Sequence, residues 1–175
     1  MTADIGVLGA GVIGLSIAWR LAAEGHAVVV VDSGAGPQSS RAAAGMLAPS
    51  FETGRNSAVH AALAVFSRNS LAQWRDFGPS LEAAAGRSID LQLTGVLGVA
   101  ADRDGAAELD AQAAAMHAVG ARAERLDGAA TRRFAPGLWP GAMTGLYAAD
   151  EGQVDPFSRY HSASSSSYRM SMSSS

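Results

Sequence analysis

Six residues near the N-terminus, Gly9-Ala10-Gly11-Val12-Ile13-Gly14, constrain this chain more than any other stretch. They follow a short apolar run, Ile5 to Leu8, and open a longer one, Leu15 to Ala23. The pattern predicts a strand, a tight turn and a helix. Each glycine has a separate task in such a turn. The first lets the chain turn, the second lets backbone come close to a pyrophosphate, and the third lets helix pack on strand. The helix start then offers N–H groups and a positive dipole end to the anion.

The surrounding residues fit the same reading. Strand one is expected over Asp4 to Leu8 and a helix over Gly11 to Glu24, with Gly25 as its C′ residue. Leu15, Ala18, Trp19 and Leu21 fall near helical spacing and should face a sheet. Ala27 to Val31 is a continuous apolar run rich in valine, as a buried parallel strand requires. It ends on Asp32, with seventeen residues between it and Gly14. An acid there can accept hydrogen bonds from a ribose. The motif alone is also compatible with an inconsequential glycine-rich turn. The strand, helix, second strand and acid in register favour a dinucleotide, and leave both NAD and FAD open.

Composition excludes several classes. The 175 residues carry a net charge of -3, which argues against a nucleic-acid surface. The absence of cysteine excludes disulfides, thiolate metal sites and a cysteine nucleophile, and fits a reducing compartment. Ile5 to Trp19 is uncharged, but it lacks a basic flank and is too short to span a bilayer. The expected location is the cytoplasm, with no membrane partner.

Downstream, Ser33 to Arg41 reads as a loop rich in glycine and hydroxyls, and Ala42 to Pro49 as a row of small residues that could approach a flat ring. Helices are expected over Ser57 to Gly78 and Ser80 to Ala85. Asp76-Phe77-Gly78 reads as a helix end. Ile89 to Leu93 and Gly95 to Ala101 suggest a hairpin-like pair of strands around Thr94-Gly95. Asp104 to Val119 is helical, Arg122 to Leu126 extended, Asp127 a helix cap, and Gly145 to Ala149 a strand. Asp150 to Asp155 reads as a turn. His60 has no second ligand at i+4, so it is read as a solvated or capping group, and no metal site is expected.

Gly9 to Asp32, then Ser39-Ser40-Arg41 and Ala44-Gly45-Met46-Leu47-Ala48-Pro49, together resemble the N-terminal portion of the FAD-dependent D-amino-acid oxidase superfamily. The run AAAGMLAP is most similar to glycine oxidases of thiamine biosynthesis. Asp32 departs from the glutamate more usual in such flavin enzymes; it is one methylene shorter and still long enough to reach a ribose. The resemblance implies an α/β fold: an incomplete Rossmann-like FAD-binding domain followed by the beginning of an α+β substrate-binding domain. The expected division is 1–80, 81–160 and a disordered serine-rich tail over 161–175.

The resemblance further implies roles for individual residues. Gly9, Gly11, Val12, Ile13 and Gly14 would line the FAD pyrophosphate. Asp32 and Ser33 would hold the adenosine ribose, and Ser39, Ser40 and Arg41 the phosphates and ribityl chain. Ala44, Gly45, Met46 and Leu47 would lie along the isoalloxazine ring; for Met46 the alternative is a core methionine. The partners would be a small amino acid or amine and oxygen. A family member is about twice as long, and its later half would supply the arginine and tyrosine that grip the substrate carboxylate. No catalytic residue is assigned among Arg20, Arg41, Arg55, Arg68, Arg75, Arg87 and Arg103. The serine-rich end looks frameshifted or vector-derived, with a linker tail as the alternative. An inactive fragment is therefore expected. The rivals are a NAD-dependent dehydrogenase and an inert or merely nucleotide-binding chain.

Overall fold

The structure, a computed structural model, describes residues 3–34, 39–52, 58–156 and 171–173. In chain order the elements are β1 (Ile5–Leu8), α1 (Val12–Ala23), β2 (Val28–Val31), α2 (Ser39–Ala42), β3 (Met46–Leu47) and α3 (Ala58–Ala85). There follow β4 (Val96–Ala100), α4 (Arg103–Ala118), β5 (Glu124–Asp127), α5 (Gly128–Phe134), β6 (Thr144–Ala148), β7 (Gly152–Gln153) and β8 (Ser171–Ser173). The chain forms two compact units that alternate along the sequence. The first comprises Met1–Met46, Arg75–Leu91 and Val154–Ser175; the second comprises Leu47–Trp74 and Gln92–Gln153. The expected boundary between residues 80 and 81 lies within α3.

The first unit is built on a parallel sheet in the order β1-β2-β8. Ile5 pairs with Val28 and Leu8 with Val31, so the two apolar runs lie side by side in register. Leu15, Ala18, Trp19 and Ala22 form the buried stripe of α1 at helical spacing. Leu15, Ala18 and Ala22 close on Val28 and Val30 in one core. Within the serine-rich end, Ser171–Ser173 lie parallel to Val29–Val31. Pairing along a strand edge uses backbone N–H and C=O groups, so a serine segment meets its chemical requirement as well as an apolar one. The rest of 157–175 lies outside the described residues.

Two expected helices merge into one. Pro79 sits inside α3 and has no N–H to donate, yet the helix continues. Asp76-Phe77-Gly78 is accordingly mid-helix. Phe77 meets the Trp19 ring edge-on at 5.3 Å between centroids, and Leu81 is fully buried. Contacts on both sides of the proline hold the helix together.

The second unit is an antiparallel sheet in the order β4-β6-β5 with α4 and α5. Its core contains Ala113, Met116, Ala121 and Leu146, with Phe51 and Leu109 packed against it. Asp102 and Asp127 cap α4 and α5, accepting from Gly105 N–H at 2.8 Å and Ala130 N–H at 2.7 Å. The expected hairpin does not form. Val96–Ala100 pairs with Thr144–Ala148 instead, and Gln92 makes an isolated bridge to Gln153.

Candidate functional site

The glycine turn joins β1 to α1 as the motif demands. Gly9 has φ +99°, a conformation that side-chain-bearing residues rarely adopt, and its N–H donates to Val31 O at 2.8 Å. A Cβ on Gly14 would lie 2.0 Å from Gly9 O, so only glycine lets helix and turn approach this closely. Gly11 is the N-cap of α1 and provides no side-chain cap. That role falls to Ser40, whose Oγ accepts from Val12 N–H at 3.0 Å. The hydroxyl also retains a proton that it can donate to an anion at the helix start.

Asp32 completes the cluster. Its Oδ2 accepts from Ala10 N–H at 2.5 Å and its Oδ1 from Gly34 N–H at 2.7 Å. The hydrogen bond from Ala10, then that from Gly34, hold the carboxyl below the ordinary aspartate value, against a smaller opposing effect of burial. The acid at the end of β2 is thus ionised and fixed on the glycine turn. Gly9, Ala10, Gly11, Val12, Gly14, Asp32 and Ser40 are brought together. Ala10 was not singled out from sequence; its backbone N–H is the functional group, and no side-chain pattern advertises it. Ile13, expected to line a pyrophosphate, has a side chain 75% exposed, so a role at the anion would fall to its backbone.

Of the other expected contacts, Ser33 and Ser39 are exposed, and the Arg41 side chain lies outside the described residues, as does that of His60. Ala44 is exposed and Met46 is 55% exposed. Gly45 has φ +77°, and a Cβ there would lie 2.0 Å from Val154 O. Its carbonyl accepts from Val154 N–H at 2.9 Å, tying the small-residue run to the segment before Pro156. Leu47 belongs to the second unit and is half-buried.

The cluster suits a dinucleotide chemically. It offers a helix N-terminus, a close backbone approach, a hydroxyl and a fixed carboxylate. Among the described residues no group of three potential metal ligands occurs, and no helix is long and apolar enough to cross a membrane.

The sequence profile of the FAD dependent oxidoreductase family (DAO) matches residues 4–160. This description selects FAD over the nicotinamide alternative. No curated protein matches the chain. Among solved structures, glycine oxidase from Geobacillus kaustophilus superposes with a TM-score of 0.82 at 24% identity, over 98% of this chain and 46% of that one. Glycine oxidase from Bacillus cereus gives 0.80 at 23%, over 99% and 46%. Iminodiacetate oxidase from Chelativorans sp. BNC1 gives 0.77 at 18%, over 98% and 46%. At these identities the likeness establishes the fold, and the chain spans about half the length of each of these proteins.

Proposed function

The chain belongs to the FAD-dependent oxidoreductase family, and on that premise we propose that it carries the FAD-anchoring part of an oxidase acting on glycine or a small amino acid. The observation that carries this reading is the cluster at the start of α1. There Ser40 meets Val12 N–H and the Asp32 carboxylate meets Ala10 N–H on the glycine turn. The Gly9–Gly14 turn and Ser40, with Ser39 and Arg41, would hold the pyrophosphate and ribityl chain. Asp32 and Ser33 would hold the ribose, and Ala44 to Leu47 would lie along the ring. When bound, FAD supplies a hydride acceptor, so that an amine is oxidised to an imine and oxygen is reduced to peroxide.

The 175-residue chain by itself would not turn over. It spans 46% of the glycine oxidases it resembles. A substrate carboxylate needs a guanidinium clamp, which the family resemblance places in the other part. In the first unit Leu8, Ile13 and Ile17 are exposed, an apolar surface of the kind that a larger assembly covers. A peroxide assay on the purified, FAD-supplemented chain with glycine and small D-amino acids tests this. The expected result is no substrate-dependent peroxide, and robust production would refute the statement that the clamp lies elsewhere.

A further inference from the structure

Ser50 closes a turn that begins at Ala48, with Phe51 N–H donating to Ala48 O at 3.1 Å. It is buried, yet neither of its backbone polar groups is satisfied by regular secondary structure. Side chains take both. Glu151 Oε1 accepts from Ser50 N–H at 2.7 Å, and Gln112 Nε2 of α4 donates to Ser50 O at 2.6 Å. Glu151 is only 2% exposed, and its own carbonyl is held by Gly95 N–H at 2.8 Å. Its second oxygen, Oε2, is buried with no hydrogen-bond partner among the described residues. Retaining such an oxygen is unfavourable, and an apolar residue would avoid it.

We propose that Glu151 is a positioning residue whose buried carboxyl pins the Ala48–Phe51 turn, and with it Leu47, three residues before Ser50. Leu47 ends the run assigned to the flavin ring, so this role rests on the FAD reading above. The charged groups around Glu151 are few. Asp150 is adjacent and is engaged by the Arg122 guanidinium. Arg68 of α3 donates to Val119 O and to Gly120 O. Burial pushes the Glu151 carboxyl above the ordinary glutamate value, and Asp150 adds to this; the Ser50 hydrogen bonds and Arg68 act in the opposite direction. With a raised folded-state value, the favourable contribution is complete below the unfolded value and is lost as pH rises through the folded one. Ionisation therefore weakens the closed arrangement through the cost of burying the charge, which outweighs the Ser50 hydrogen bonds that by themselves favour the carboxylate.

Amide hydrogen exchange at Ser50, together with FAD titration from pH 5 to 8, tests this on wild type, E151Q and E151A. Wild type should lose Ser50 protection and FAD affinity together as pH rises. E151Q keeps an acceptor without the charge and should show both flat with pH. E151A should show protection about tenfold below wild type at pH 5, the effect of removing one hydrogen bond, and no step as pH rises. The proposal is overturned if E151Q retains the pH step, if E151A protects Ser50 like wild type at pH 5, or if protection changes while FAD affinity does not. Absence of FAD binding in wild type at any pH would defeat the FAD reading and the flavin-positioning role together. The exchange data would then still decide whether Glu151 pins the turn.

Discussion

Replacing Gly14 by alanine should destabilise the first unit, although alanine is the better helix former. The added Cβ would sit 2.0 Å from Gly9 O, so the turn or helix must move by at least about 1 Å to reach 3.0 Å. The obstacle is backbone, which cannot swing aside as a side chain can. Overpacking of this kind costs about 1–3 kcal/mol. Removing a helical glycine returns at most ~1 kcal/mol. The net expectation is a loss of up to about 2 kcal/mol, or up to about 1 M in urea midpoint at ordinary m-values. Gly6→Ala is the matched control. Its Cβ would meet nothing within 4 Å, so it should be neutral or stabilising by up to ~1 kcal/mol. Urea unfolding followed by far-UV circular dichroism compares the three proteins. A Gly14→Ala midpoint at or above wild type would refute the argument from close helix–turn approach.

Asp32→Ala removes the acceptor for Ala10 and Gly34 N–H and should weaken FAD binding by about tenfold or more, as measured by flavin fluorescence. Because the folded Asp32 value is lowered, its contribution is present above the unfolded value and is lost only as pH falls through the folded one. The part of FAD affinity that depends on Asp32 should accordingly be flat from pH 5 to 7; a decline in that difference beginning near pH 5 would contradict it. In the second unit, Arg125→Ala should cost about 1–3 kcal/mol in urea unfolding. It removes hydrogen bonds to Thr144 Oγ1 and to Gly145 O at 3.0 Å, whereas the ion pair to exposed Asp110 contributes little.

The β1–α1–β2 segment was legible because local chemistry specifies it. Gly9 and Gly14 occupy positions where a side chain is strained or blocked, and the valine run leaves little but a buried strand. The strand partners were not legible. Alternation at Ile89–Leu93 signals a pleated surface but not which chain will cover it, and β4 found β6, more than forty residues away. Asp76-Phe77-Gly78 read as a helix end, whereas the packing of Phe77 and Leu81 that accompanies the continuous helix is not visible locally. At the site, Asp32 was readable from spacing and Ser40 from the family resemblance. Glu151 passed as an ordinary turn residue, since burial of a carboxyl is a property of the fold. The same holds for Ala10, whose contribution is made by its backbone.

The glycine turn, Ser40 and Asp32 are proposed to form an FAD anchor. Calorimetric titration of the 175-residue chain with FAD, and separately with NAD, tests it most directly. One FAD should bind per chain, with negligible heat from NAD. No FAD binding at high micromolar concentration, or a preference for NAD, would contradict it.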